Sequence, residues 1–286
     1  MIFHWRAFRT TILATSSALA LLAAPLGDHA CAEGKLDASY TVSFGRIRVG
    51  EITAIFVLGD KEYAISAHGR AGGVMKALVD GEGSFSTRGT LTDGHPVPTK
   101  FTSKIVSNTE TSDVTMVLDE GSVKDLEAAP PPSSGRVPVT EANRHGIVDP
   151  LTAMLFSAAA EGDGLSQQTC RQTLPIFDGH QRYDLKLAFK RMNKVTAEKG
   201  YAGPVAVCSL RYEPIAGHSA STTLVKYLSE GREMEIALAP IAGTRLLAPF
   251  RLSVMSMLAN LVIEASRFEA TARPPDASTV ADPKAQ

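Results

Sequence analysis

The segment "LDASYTVSFGRIRVGEITAIFVL", Leu36 to Leu58, decides the fold class. In its first half the large side chains of Tyr40, Val42 and Phe44 alternate with small polar ones, and in its second half a β-branched run begins at Ile52. Successive side chains of a strand point to opposite faces, so this alternation indicates a half-buried strand. Two glycines separate the halves. The segment therefore predicts an antiparallel β-hairpin.

The same kind of pattern recurs along most of the chain. Strand-compatible segments follow one another at intervals of about 8–12 residues with turn signals between them, which is typical of a sandwich or a barrel. The sequence predicts a mainly β fold: a strongly curved antiparallel sheet, an open β-barrel or a β-sandwich. The segments are "SFSTRGTL", "PTKFTSKIV", "TSDVTMVLDEGSVKDLE", "RYDLKLAFKRM", "VAVCSLRYEPI", "TTLVKYLSE", "REMEIALAPI", "LLAPFRLSVMSML" and "LVIEASRFEA".

Two segments break this rhythm and predict helices. In "GGVMKALVDG", residues 72–81, the apolar positions are spaced for one short helix. In "GIVDPLTAMLFSAAAEG", Asp149 has the chemistry of an N-cap and Pro150 that of the first helical residue, with apolar residues on one face. This predicts a central helix of about three turns, Asp149–Ala160, packed against the sheet.

The composition of the two ends sets the expected compartment. Arg6 and Arg9 precede an apolar run and the small-residue site Ala30-Cys31-Ala32, a pattern typical of a secretory signal peptide over residues 1–32. The apolar run is shorter than the ~20 residues of a spanning helix, so no retained transmembrane helix is expected. Residues 33–270 are predicted to form one β-rich domain with a Pro-rich loop near 128–136, and residues 271–286 a disordered tail. The expected location is the periplasm.

Charge and histidine spacing exclude two classes of function. The chain has 29 basic and 30 acidic residues, and a near-neutral balance argues against a nucleic-acid surface. The histidines show no HExxH or HxH spacing, and the cysteines no CxxC spacing, so neither a metal site nor a cofactor is expected.

After removal of the leader only Cys170 and Cys208 remain. In an exported chain an isolated pair more often forms a disulfide than a catalytic site, and we predict a Cys170–Cys208 disulfide. The alternative is a reactive thiol at Cys170 with His180 as its base.

The segment "FDGHQRYDL" places several polar side chains in a short span. Its Asp178-Gly179 pair predicts a turn between two strands, and period two puts Asp178, His180, Arg182 and Asp184 on one face. That face is either solvated or, together with Asp149, a polar site.

Several of these segments, in this order, resemble the bacterial exported proteins grouped as the domain of unknown function 3108 family. They include "YTVSFGRIRVGE", "GEGSFSTRGTLTDGHPVPTKF", "VDPLTAML" and "CRQTLPIFDGHQRYDL". The resemblance spans about residues 36–268. It implies an envelope protein of mainly antiparallel β structure, and it brings no catalytic residues.

Three functions follow as hypotheses. The first is a non-enzymatic periplasmic protein that binds a lipid or another amphiphilic ligand in the concave face of its sheet. The second is a hydrolase acting on a cell-wall or lipid substrate, with Asp178, His180, Arg182 and Asp184 as its polar centre. The third is a structural partner of an envelope protein, bound through a sheet edge.

Overall fold

The computed structural model describes residues 33–72, 81–108, 110–158, 165–231, 233–255 and 259–273. The predicted signal peptide, residues 73–80 of the predicted short helix and residues 274–286 of the predicted tail lie outside this part of the chain. The elements are β1 (Glu33–Phe44), β2 (Ile47–Leu58), β3 (Glu62–Ala71), β4 (Gly81–Thr92), β5 (His95–Ser107), β6 (Thr111–Asp119), β7 (Ser122–Ala129), β8 (Phe156–Ser157), β9 (Thr173–Phe177), β10 (Arg182–Thr196), β11 (Lys199–Gly200), β12 (Ala202–Ala216), α1 (Thr223–Ser229), β13 (Met234–Pro240), β14 (Leu246–Met255) and β15 (Asn260–Arg273).

All the strands belong to one sheet, so the prediction of a mainly β, antiparallel fold is confirmed. The strand order is β7-β6-β5-β4-β3-β2-β1-β15-β14-β13-β12-β10-β9, and every neighbouring pair along this path is antiparallel. Strand β8 pairs with β14, and β11 adds a short parallel pairing with β15. The sheet is not closed, because its two outermost strands, β7 and β9, do not pair with each other.

The sheet consists of two meanders joined at their sequence-distant ends. Strands β1 to β7 form the first meander, and β9, β10 and β12 to β15 form the second. The ladder between β1 and β15 connects them, running from Glu33 opposite Arg273 to Phe44 opposite Leu261.

A long connection between β7 and β9 holds the two outer regions of the sheet together. The Ile147 amide donates to the Gly121 carbonyl at the β6–β7 turn, at 3.0 Å. Val148 then forms an isolated parallel bridge with Ile176 of β9. We call residues 147–157 of this connection the strap.

The predicted central helix is wrong in length over residues 149–158, and residues 159–160 of that prediction lie outside the described part of the chain. The strap has one 3₁₀ turn, Thr152–Met154, and Leu155 is already extended, with φ −99° and ψ 123°. Phe156 and Ser157 pair with β14, and Phe156 is almost completely buried. Burying Phe156 against the sheet overrides the local helical pattern, because tertiary packing outweighs propensity over a few residues.

The segment "TTLVKYLSE" was expected to be a strand, and it forms α1 instead. Its apolar residues Leu224 and Leu228 are also spaced four apart, so the sequence fits both periods. Leu228 packs against a buried cluster, and the Tyr227 hydroxyl donates to the Met255 carbonyl at 2.8 Å. Within the described residues, no helix combines the length and the apolar character that crossing a bilayer requires.

Candidate functional site

An apolar pocket of about 260 Å³ lies between the sheet and the strap. Its wall uses six strands that are adjacent in the sheet, from β4 through β3, β2, β1 and β15 to β14, together with the 3₁₀ turn of the strap. The lining residues are Tyr40, Ile52, Ala54, Phe56, Ile65, Ala67, Phe85, Pro150, Leu151, Met154, Pro249, Arg251, Leu252 and Ile263.

The pocket exists because two small residues meet where large ones would fill the space. Ala54 of β2 and Ala67 of β3 are directly opposite each other. The next inward-facing pair in the same ladder is Phe56 opposite Ile65. Directly opposite side chains have Cβ atoms about 4.5–5.5 Å apart, so two methyl groups leave a hollow beside the larger pair.

The pocket offers few polar groups to a ligand. The Tyr40 hydroxyl donates to the Pro249 carbonyl at 2.8 Å, so its proton is already used. Burial raises the pKa of Tyr40, which keeps it neutral. Arg251 is exposed, lies opposite Glu264 in the β14–β15 ladder, and lines a separate polar cavity with Glu264.

The buried carboxyl of Asp149 fixes the strap over this pocket. Its Oδ1 accepts from the amides of Leu151 and Thr152, at 2.9 and 3.0 Å. Its Oδ2 accepts from the hydroxyls of Thr152 and Thr87, at 2.5 and 2.9 Å. The predicted N-cap role of Asp149 therefore holds, although the helix that follows is a single turn.

The Asp149 bonds extend to two strands of the first meander. Thr87 belongs to β4, and the hydroxyl of Tyr63 in β3 lies 2.7 Å from Thr152 Oγ1. Since the Thr152 hydroxyl donates to Asp149, Tyr63 donates to Thr152. Desolvation raises the pKa of Asp149, outweighing the four hydrogen bonds that favour its carboxylate form. Leu151 and Met154, which line the pocket, are thereby positioned by polar bonds to the sheet.

The polar residues Asp178, His180, Arg182 and Asp184 each have a partner, which is local except for that of His180. Asp178 Oδ1 accepts from the amides of His180 and Gln181, at 2.8 and 2.6 Å, which closes the predicted turn between β9 and β10. His180 Nε2 lies 3.4 Å from the hydroxyl of Ser112 in β6. Burial raises the pKa of Asp178, with the amide bonds and His180 opposing this shift.

Arg182 and Asp184 form an ion pair at 2.5 Å. Their side chains are 11% and 19% exposed, so this face of β10 is largely covered rather than solvated. Among the described residues no hydrogen bond joins Asp149 to Asp178, His180, Arg182 or Asp184, and none of these five residues lines the apolar pocket.

Cys170 and Cys208 form the predicted disulfide, with Cα atoms 5.5 Å apart. Both residues are completely buried, in a core cluster that also contains Phe156 of the strap. The bond ties the segment before β9 to β12 and leaves no free thiol at Cys170 to act as a nucleophile. No group of three or more potential metal ligands occurs in the part of the chain that the structure describes.

Comparison with known proteins identifies the family. The model of the family described as a protein of unknown function, DUF3108, matches residues 39–265, and the chain belongs to this family. No curated protein matches the chain.

Two solved structures are similar over most of their length. The β-barrel-like protein of the domain of unknown function DUF1849 from Brucella abortus is 8% identical, with a TM-score of 0.44, covering 84% of this chain and 98% of its own. The hypothetical protein CT021 from Chlamydia trachomatis is 10% identical, with a TM-score of 0.26, covering 85% and 89%.

Sequence reasoning found Asp149 and predicted an apolar site in the concave face of the sheet, but it missed the partners of Asp149 and the residues that line the pocket. Tyr63 and Thr87 lie 89 and 62 residues away from the groups they bond in the strap. No local pattern reports such contacts. The signal that was available was a pair of alanines, Ala54 and Ala67, at inward-facing positions of neighbouring strands.

Proposed function

We propose that this protein binds a hydrophobic or amphiphilic ligand, such as a lipid, in the apolar pocket beneath the strap, and that it has no enzymatic activity. The observation that carries the proposal is the pocket itself. Apolar cavities with a few polar groups are the usual form of small-molecule sites, and water in such a cavity finds few hydrogen-bond partners. An apolar ligand would therefore replace poorly bonded water.

The proposed location is the periplasm. A buried disulfide between Cys170 and Cys208 supports it, because disulfides form and persist in oxidising compartments. The lipids of the adjoining membranes would be the natural source of a hydrophobic ligand there.

The alternative function, that of a hydrolase, has less support from its predicted polar centre. Acid–base catalysis requires groups that converge on a substrate. Arg182 and Asp184 neutralise each other, and Asp178 is occupied by backbone amides. None of these three lines the apolar pocket.

Native mass spectrometry tests the proposal. The protein is purified from periplasm without detergent, and bound molecules are identified before and after solvent extraction. We expect a bound lipid-like molecule, or uptake of an apolar fluorescent probe by the extracted protein. A ligand-free protein that takes up no probe would refute the binding function, and recovery of a defined envelope protein without lipid would favour the assembly-partner alternative.

Two matched variants place the binding in this pocket. Ala67→Phe puts a ring into the cavity, while Thr53→Phe adds the same ring at an exposed position on the neighbouring strand. The ring adds six carbon atoms and takes the space of about six methylene groups, so Ala67→Phe is expected to weaken probe binding by more than about a hundredfold. Thr53→Phe is expected to bind as the wild type does, and equal binding by both variants would place the site elsewhere.

A further inference from the structure

We infer that the pocket takes a single unbranched alkyl chain, fills at about eight or nine carbons, and does not discriminate between headgroups. This inference rests on the proposed function and narrows it to a class of ligand. Its support comes from the volume, the polarity and the floor of the pocket.

The volume sets the number of chains and their length. An apolar cavity of about 150 Å³ binds benzene, which has six carbon atoms, so a cavity needs about 25–30 Å³ for each carbon. A cavity of about 260 Å³ thus holds about eight or nine carbons. Pockets for whole drug-sized ligands span about 300–1,000 Å³, so this one is too small for two acyl chains together.

The polarity of the lining argues against headgroup recognition. The hydroxyl of Tyr40 is bonded to the Pro249 carbonyl, and no other lining residue is polar except Arg251. Arg251 is exposed, with Glu264 opposite it in the ladder, and an exposed ion pair is worth little, so an anionic headgroup would gain no more than about threefold in affinity from Arg251. A headgroup therefore stays in water while the chain enters.

The floor of the pocket, as we call the opposed pair Ala54 and Ala67, limits how much chain fits. Ala54 and Ala67 provide the free space, and Phe56, Ile65 and Phe85 bound it. Met154 of the strap forms part of the opposite wall. Changing the size of Ala67 or Met154 is expected to change the length of chain that fits.

A chain-length series tests the inference. Single-chain carboxylates, trimethylammonium salts and maltosides with four to fourteen carbons, kept below their critical micelle concentrations, displace an apolar fluorescent probe from the extracted protein. Each buried methylene is expected to tighten binding about fourfold, until the affinity levels off at about eight or nine carbons. The three headgroups should agree within about threefold at equal chain length.

The outcomes separate this inference from the proposed function. Affinity that keeps rising to fourteen carbons, or a tenfold preference for one headgroup charge, overturns the inference and leaves the binding function intact. If the protein binds neither the probe nor any of the chains, both the inference and the proposed function are overturned.

Two variants move the plateau in opposite directions. Ala67→Leu adds three carbon atoms to the floor and should bring the plateau to chains about three carbons shorter. Met154→Ala opens the strap wall and should extend the plateau by a similar amount, which keeps the test decisive if one variant fails to fold. Thr53→Leu, at an exposed position beside Ala54, serves as the control and should leave the plateau unchanged. A plateau that moves in neither pocket variant overturns the inference.

Discussion

Replacing Asp149 by alanine is expected to lower the free energy of unfolding by about 3 kcal/mol. The side chain is completely buried and accepts four hydrogen bonds, two from backbone amides and two from hydroxyls. Alanine at this position removes all four acceptor contacts at once. This carboxyl is therefore the main polar anchor of the strap.

The magnitude follows from which donors find other partners. Thr87 can turn its hydroxyl to the Lys100 carbonyl, 3.1 Å away, and Thr152 retains its contact with Tyr63. The amides of Leu151 and Thr152 have no such substitute among the contacts of the strap. Each donor left unsatisfied in the interior costs about 1–3 kcal/mol, which gives about 2–6 kcal/mol for the two amides. Alanine also removes the free-energy cost of burying a carboxyl group, which offsets part of this loss of stability.

Chemical denaturation followed by far-ultraviolet circular dichroism measures the effect. Asp119→Ala is the matched control, because Asp119 is an exposed residue whose ion pair with Lys124 is 3.7 Å long, and its loss should cost less than about 0.5 kcal/mol. Asp149→Asn keeps an acceptor for the two amides and should recover at least half of the lost stability. A loss below about 1 kcal/mol for Asp149→Ala would show that packing, and not this carboxyl, fixes the strap.

Two further predictions concern pH and the disulfide. Because burial raises the pKa of Asp149, the stability that its protonation contributes is complete below the pKa of the unfolded chain and is lost as the pH rises through the folded pKa. The stability advantage of the wild type over Asp149→Asn should therefore shrink as the pH rises above the ordinary carboxyl value of 3.8 in paired denaturation curves, and growth of this advantage would contradict the direction of the shift. In protein lacking residues 1–32, thiol labelling should find no free thiol before reduction, and Cys170→Ser and Cys208→Ser should each lower the free energy of unfolding by a similar amount, about 2–5 kcal/mol. One labelled thiol in the unreduced, denatured protein would exclude the disulfide.

The strands were predictable because each one carries its own evidence. Tyr40 and Val42 alternate with the polar residues Ser39, Thr41 and Ser43, and this alternation depends only on the period of a strand. Cys170 and Cys208 were predictable for a different reason: once the leader is set aside, only one pairing exists.

The strap was not predictable, because its conformation depends on residues far away in the sequence. Asp149 and Pro150 carry a valid helix-start signal, and Asp149 does cap the turn that follows. The helix stops after Met154 because Phe156 is buried where β14 is available for pairing. The position of β14 beside the strap depends on the strand order of the whole sheet.

The residues that form the pocket could not be predicted from the sequence for a related reason. A cavity is the difference between the space enclosed by several strands and the volume of the side chains that fill it. Alternation identifies Ala54 and Ala67 as inward-facing, but their adjacency depends on the β2–β3 register. Even then, only the position of Met154 on the strap determines whether that space is filled.

The pairing of β1 with β15 has a consequence for how the chain reaches its native state. Gly34 pairs with Ala272, and the Tyr40 hydroxyl bonds to Pro249, 209 residues away. Closing contacts this distant carries a large entropic cost before any stabilisation is gained, which makes folding slow. A chain emerging amino end first exposes one bare edge of β1 until almost the last residues of the sheet have appeared. A bare strand edge is a template for pairing with another chain, so a chaperone that covers β1 during this interval would be expected to raise the yield of folded protein.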